Sequence, residues 1–309
     1  MRSFAIMLFA LAIASGPAHA VGPVTVHTED STASSRLPMN SSSVLVLDQE
    51  SGEILYGKNS GSVVPIASIT KLMTAVVVLD ANLDLDEQMA IADEDIDWLR
   101  NSHSRLPVGT MLSRDEMLRL ALMASENRAA SALSRYYPGG RPAFVAAMNT
   151  KARELGMEGT RYADSTGLSS TNVSTAKDLA KLVRAAHSYP KVREYSTATG
   201  FDLEINGRRQ SFRNTNALVR TTGWDIGLSK TGFINEAGRC LVMQANLAGR
   251  AIIIVLLDSW GKYSRIADAN RIRKWLENAL EPVKIKAKAA VQKHRRNIHA
   301  KDSRRHRPG

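Results

Sequence analysis

The distribution of strand-like and helix-like segments along this chain constrains its fold more than any other feature. Strand signals lie at both ends of the body, and helical periodicity fills the middle. Near the N-terminus, Ser43-Val44-Leu45-Val46-Leu47 and Ile54-Leu55-Tyr56 flank a Ser51-Gly52 turn, the pattern of a hairpin. Near the C-terminus, Gly238 to Leu247 and Arg250 to Leu257 flank Ala248-Gly249, a tight hairpin signal. Between them, Ile69 to Leu79 reads as a buried helix. Arg114 to Tyr137 has helical periodicity and stops at Pro138-Gly139-Gly140, and Arg141 to Leu155 is closed by Gly156. Thr175 to His187 reads as a helix capped by Ser174 or Thr175. Tyr263 to Leu280 is an amphipathic closing helix, with Ile266, Ile272, Trp275, Leu276 and Leu280 available for one face. The expected architecture is α/β (α+β): an antiparallel sheet of N- and C-terminal strands, flanked by helices, with an inserted helical subdomain at about 84–196.

The ends carry no core. Arg2, eleven apolar residues from Phe4 to Ala14, and Ala18-His19-Ala20 read as a secretory signal peptide over residues 1–20. The apolar run is too short to span a bilayer. Residues 21–42 read as a flexible leader, 43–281 as the body, and 282–309 as a basic, disordered tail. Of the net charge of +11, the tail carries +9 and Arg2 one more, so the body stands at +1. The basic balance therefore belongs to the tail, which suits weak, salt-sensitive contact with anionic membrane or wall polymers. Export to the periplasm removes nucleic acid as a partner. Cys240 is the only cysteine and reads as a small buried residue on a strand. His27, His103 and His187 are scattered, with no H-E-x-x-H or CxxC, so neither a metal nor another cofactor is expected.

Three short motifs follow in order: Ser68-Ile69-Thr70-Lys71, Ser125-Glu126-Asn127 and Lys230-Thr231-Gly232. S-x-x-K recurs at Ser174, Ser188 and Ser259, and S-x-N at Ser170, but only Ser68 opens a long buried helix ahead of the rest. Residues i and i+3 share a helix face, so the Lys71 amine can reach the Ser68 hydroxyl. An alcohol needs a base to become a nucleophile, and lysine serves only if burial or a second cation lowers its pKa. Lys230 supplies that cation if its strand runs beside the helix. A helix N-terminus at Ser68 also offers backbone N–H groups to a developing oxyanion. On this reading Ser125 relays a proton to the leaving amine, Asn127 holds Lys71 and the substrate amide, and Gly232 leaves room for a peptide on an edge strand.

The three motifs match the S-x-x-K, S-x-N and K-T-G set of penicillin-binding proteins and serine β-lactamases. Pro65 to Ala75, Asp164-Ser165-Thr166-Gly167-Leu168 and Ser174 to Ala180 resemble segments of the low-molecular-mass penicillin-binding proteins, serine D-Ala-D-Ala peptidases. Leu122 to Ala130, Tyr137 to Gly140, Phe212 to Asn216 and Lys230 to Phe233 look most like the endopeptidase branch. Glu126 stands where a small Gly or Asp is commoner. The resemblance implies a β-lactamase/DD-peptidase-like fold, an acyl-enzyme on Ser68, Lys71 as base, and a cleft completed by Ser125, Asn127, Lys230 and Thr231. It implies an oxyanion hole from the Ser68 and Phe233 backbone N–H groups. It also implies an arginine for a substrate carboxylate, for which Arg265 is the candidate.

The expected substrates are peptidoglycan peptides, with β-lactams as covalent inhibitors. No E-x-x-L-N segment lies between Asn127 and Lys230, so the deacylating glutamate of a class A β-lactamase is missing. Cleavage of D-alanyl cross-links is favoured over trimming of terminal D-alanine. A non-catalytic wall-binding module is the reading from a different class.

Overall fold

A computed structural model describes residues 37–279. The expected signal peptide, the leader up to residue 36, Leu280 and the basic tail lie outside the described residues. The body opens with the hairpin β1 (Ser41–Asp48) and β2 (Ile54–Lys58). A short β3 (Val64–Pro65) and a 3₁₀ turn (Ala67–Ile69) lead into α1 (Thr70–Asp80). The pair β4 (Gln88–Ala90) and β5 (Met111–Ser113) precedes α2 (Arg114–Met123), α3 (Asn127–Arg135) and α4 (Gly140–Glu154). Next come β6 (Val173–Ser174), which pairs back to β3, then α5 (Ala176–His187) and α6 (Pro190–Thr197). The hairpin β7 (Gly200–Ile205) and β8 (Arg208–Arg213) is followed by β9 (Asp225–Ile234), β10 (Gly238–Leu247) and β11 (Arg250–Ser259). A last helix, α7, covers 264–279.

The main sheet has the order β2-β1-β11-β10-β9, with every neighbouring pair antiparallel. Strands from both ends of the chain thus share it, as expected, and β9 is an edge. β11 is buried on both faces, which is why it reads as a continuous apolar run. Its Ile253, Val255 and Leu257 join a core built with α1 and α5. Ile252, Ile254 and Leu256 join a second core with Ala269, Ile272 and Leu276 of α7. Cys240 is fully buried on β10, and burial pushes its thiol pKa up to about 11.

Three expectations change. The first strand begins two residues before Ser43, where Asp268 of α7 accepts bonds from the backbone N–H and hydroxyl of Ser41, both at 2.8 Å. The segment 84–196 is not one helical subdomain: α5 packs on β10, β11 and β1, and β6 pairs with β3. Nor is Arg114 to Tyr137 a single helix. It breaks at Ala124–Glu126, where Ser125 takes a left-handed backbone, φ 59°. That conformation costs a non-glycine residue on the order of 1 kcal/mol or more, and the break turns the Ser125 side chain out of the helical register.

Candidate active site

Ser68 lies in the 3₁₀ turn just ahead of α1, partly exposed between buried Ala67 and Ile69. Ala67 is itself left-handed, φ 48°, so the nucleophile sits on a tight, strained turn. Two glycines make room for it. A Cβ on Gly232 would come within 3.0 Å of the Ile66 carbonyl and 3.1 Å of the Ser68 nitrogen. A Cβ on Gly167 would stand 1.9 Å from the Ala67 carbonyl oxygen. Gly232 therefore makes space for the nucleophile turn itself, a different reason from the peptide clearance expected of it.

Lys71 is one helical turn on, fully buried, with Nζ 2.8 Å from Ser68 Oγ. It also donates to Asn127 Oδ1 at 2.7 Å and to the Thr166 carbonyl at 2.6 Å. Burial lowers its pKa to about 7, against the pull of Asp164, Glu126 and Asp97. A neutral amine has two hydrogens and one lone pair. The two carbonyl oxygens take the two hydrogens, which leaves the lone pair for the Ser68 hydroxyl.

The edge strand β9 brings Lys230 to the other side of the site. It is also buried, and its Nζ donates to Ser125 Oγ at 2.8 Å and to the Thr231 carbonyl at 3.0 Å. Burial lowers its pKa well below the ordinary lysine value, and Lys71 and Arg265 push the same way. The influence of one lysine on the other is thus felt at Lys230, whereas Lys71 is tuned by burial. The Thr231 hydroxyl donates to that of Thr215 at 2.7 Å.

Asn127 opens α3, and its amide Nδ2 donates to Ser102 Oγ at 2.8 Å. Glu126 is buried. Its carboxylate accepts from Ser104 Oγ at 2.8 Å and from the Arg105 N–H at 3.3 Å, which fastens the 97–106 segment over the site. Phe233 has a half-exposed ring, with the Arg239 guanidinium 4.5 Å from its centre. The Arg265 guanidinium donates to the carbonyls of Gly232 (3.0 Å) and Cys240 (3.3 Å), beneath the edge strand. Its Nε is buried without a protein partner.

Ser68, Lys71, Asn127 and Gly232 are in direct contact, and Lys230 brings Ser125 and Thr231 beside them; Arg265 meets Gly232 only through its carbonyl, and Phe233 is next to it along β9. Sequence reasoning missed Ser102, Thr166 and Thr215. Thr166 acts through a backbone carbonyl, which no side-chain pattern reports. Asp164-Ser165-Thr166-Gly167 does carry a turn signal, an Asp two residues ahead of a hydroxyl and three ahead of a glycine.

A seryl–lysyl turn facing a second lysine on an antiparallel edge strand defines the class: a serine acyl-transfer enzyme of the penicillin-binding type. Residues 29–261 match the family model described as D-alanyl-D-alanine carboxypeptidase, and the chain belongs to that family of serine peptidases. It is 52% identical over 239 residues to the D-alanyl-D-alanine endopeptidase of Pseudomonas aeruginosa, covering 77% of each chain. It is 43% identical over 279 residues to the D-alanyl-D-alanine endopeptidase of Escherichia coli K12, covering 90% of each. Among solved structures it resembles the Streptomyces K15 DD-transpeptidase, with 28% identity and a TM-score of 0.73 over 78% of this chain and 98% of that one.

Proposed function

We propose that the protein is an exported serine DD-endopeptidase that cuts D-alanyl cross-links in peptidoglycan through an acyl-enzyme on Ser68. One observation carries the chemistry: Lys71 Nζ stands 2.8 Å from Ser68 Oγ with both its hydrogens claimed by carbonyl oxygens. The neutral Lys71 takes the hydroxyl proton as Oγ attacks the D-alanyl carbonyl. The backbone N–H groups of Ser68 and Phe233 face the oxyanion. As the C–N bond breaks, the leaving amine takes a proton by way of Ser125, which Lys230 orients. Water then cleaves the ester and returns the proton to Ser68.

A cross-link places a carboxylate beside the scissile amide, on the D-centre of diaminopimelate. Arg265, Thr231 and Lys230 form the receptor for it. Burial disfavours charge on Lys230, and a substrate carboxylate beside it favours the ammonium. The relatives named endopeptidases favour cross-link cleavage over trimming. The family description and further relatives, such as a Bacillus subtilis carboxypeptidase at 28% identity, keep terminal D-Ala removal as the second reading. A β-lactam acylates Ser68 by the same attack and, with no E-x-x-L-N segment between Asn127 and Lys230 to supply a deacylating glutamate, stays bound.

No helix among the described residues is long and apolar enough to cross a membrane. We read the N-terminal 20 residues as the export signal, and the basic tail as a weak, salt-sensitive contact with anionic wall or membrane polymers. Mass analysis of purified cross-linked muropeptides after digestion tests the function. Loss of dimers with gain of tetrapeptide monomers is expected. Trimming of pentapeptides alone turns the assignment to a carboxypeptidase, and no labelling by penicillin turns it to a binding module.

A further inference from the structure

The loop from Asp164 to Ser169 lies outside the three motifs, yet it touches both partners of the acylation step. Its Thr166 carbonyl takes one hydrogen of Lys71 at 2.6 Å, and its Gly167 lies flush against the Ala67–Ser68 backbone. Asp164 folds the loop. Its Oδ1 accepts from the Thr166 N–H (2.6 Å), the Thr166 hydroxyl (2.8 Å) and the Gly167 N–H (2.6 Å). Its Oδ2 accepts from the Ser169 N–H at 2.9 Å. Three further bonds moor the loop to α1: Thr74 Oγ1 donates to the Ser165 carbonyl at 2.7 Å, and Asn172 Nδ2 bridges Thr70 Oγ1 and the Asp164 carbonyl, each at 3.0 Å.

We propose that Asp164 is a positioning residue for acylation: it holds the Thr166 carbonyl on Lys71 and Gly167 under Ser68, and so aims the amine lone pair at the nucleophile. The inference rests on the reading of Ser68 as nucleophile and Lys71 as base. Four bonds to one carboxylate fix a six-residue loop whose backbone, not its side chains, meets the reacting groups. The amine has only two carbonyl acceptors, Asn127 Oδ1 and Thr166 O. With one withdrawn, its hydrogens and lone pair rotate freely over the Ser68 hydroxyl. A displacement of about 1 Å at a reacting pair costs on the order of 100-fold in rate.

Asp164 also faces Lys71 as a charge, and the two roles separate experimentally. The carboxylates around Lys71 are Asp164 from this loop, Glu126 from the α2–α3 break and Asp97 from the 97–106 segment. Lys230 faces it from β9, with Arg265 of α7 behind. On α1 itself the other titratable residue is Asp80, at the far end. Asp164→Asn removes the charge and one acceptor oxygen. Asp164→Glu keeps the charge and displaces the acceptors by one methylene.

The test is the second-order rate of Ser68 acylation by a fluorescent penicillin across pH 5–9, on the full exported chain, with thermal melting of each variant. Both variants are expected to lose on the order of 100-fold on the plateau, beyond any loss accounted for by the folded fraction. Asp164→Asn alone is expected to shift the acid limb to lower pH, because one carboxylate that favours the Lys71 ammonium is gone. Plateau rates within threefold of the parent in both variants overturn the proposal, as do losses that vanish once rates are scaled to folded protein. If the parent itself is not acylated at Ser68, it is the proposed function that fails.

Discussion

A lysine amine serves as a base near neutrality only when its surroundings disfavour the ammonium, and at Lys71 burial does this. Below about pH 7 the amine is protonated and cannot accept from Ser68; above it the base is free. The acylation rate is therefore expected to rise through about pH 7 and level off, which a penicillin-labelling profile measures. A pH-independent rate would remove Lys71 from the base role. Ser68→Ala deletes the hydroxyl that faces that amine's lone pair and is expected to reduce muropeptide cleavage by at least ~10⁴-fold. At this scale the sequence was most informative. Serine, lysine and K-T-G at their spacings mark the polar side chains of the site. It was silent where the chemistry is done by backbone: the Thr166 carbonyl, and the left-handed turns at Ala67 and Ser125, which carry no glycine to announce them.

Among the elements, the segment 93–106 and the break between α2 and α3 hold the second motif in place. Ser102 receives the Asn127 amide, leaving that side chain's oxygen for Lys71. Ser102→Ala is expected to lower acylation about fivefold with little change in melting temperature, since one hydrogen bond to a partly exposed group is worth about 1 kcal/mol. Deeper in, the Asp95 carboxylate is fully buried and paired with Arg135 at 2.7 Å and Arg141 at 3.1 Å, joining this segment to α3 and α4. Burial raises its pKa, but hydrogen bonds from Arg135, the Ala92 N–H and Ser131 outweigh that and leave it lowered. A carboxylate with a lowered folded-state pKa stabilises fully above its ordinary value near 4 and loses that contribution as pH falls below it. Asp95→Asn is expected to cost about 2 kcal/mol in urea unfolding at pH 7, less than a fully buried pair because both arginines retain solvent contact. The cost should shrink in acid, where the parent is also protonated. The helices were legible from their periodicity and caps, such as Thr175, whose hydroxyl accepts from the Asp178 N–H. The break at Ser125 was not, because the residues on both sides keep helical spacing and the side chain it presents meets Lys230, 105 positions away.

For the molecule as a whole, the sheet is a partition. Its one face, with α1 and α5, supports the nucleophile turn; its other face is covered by α7, which reaches the site through Arg265 at its start. That division was visible in the sequence as strands at both ends and an apolar β11, while the assignment of α5 to the sheet was not, since an amphipathic helix does not say what it will cover. Ile254 lies on the α7 side and is fully buried between Val46 and Met243 of the neighbouring strands. Ile254→Ala leaves a cavity there and is expected to cost about 3 kcal/mol. Val255, one residue on, faces the α1 side and is equally buried. Val255→Ala removes fewer atoms and is expected to cost less in stability, yet it loosens the layer that carries Ser68 and Lys71. Urea unfolding paired with the acylation rate of folded protein separates the two: Ile254→Ala should lose stability with a rate within threefold of the parent, and Val255→Ala should show the larger rate loss for the smaller stability loss. If the rate falls equally in both, the sheet transmits strain between its faces, and the cleft depends on the packing of α7 as much as on that of α1.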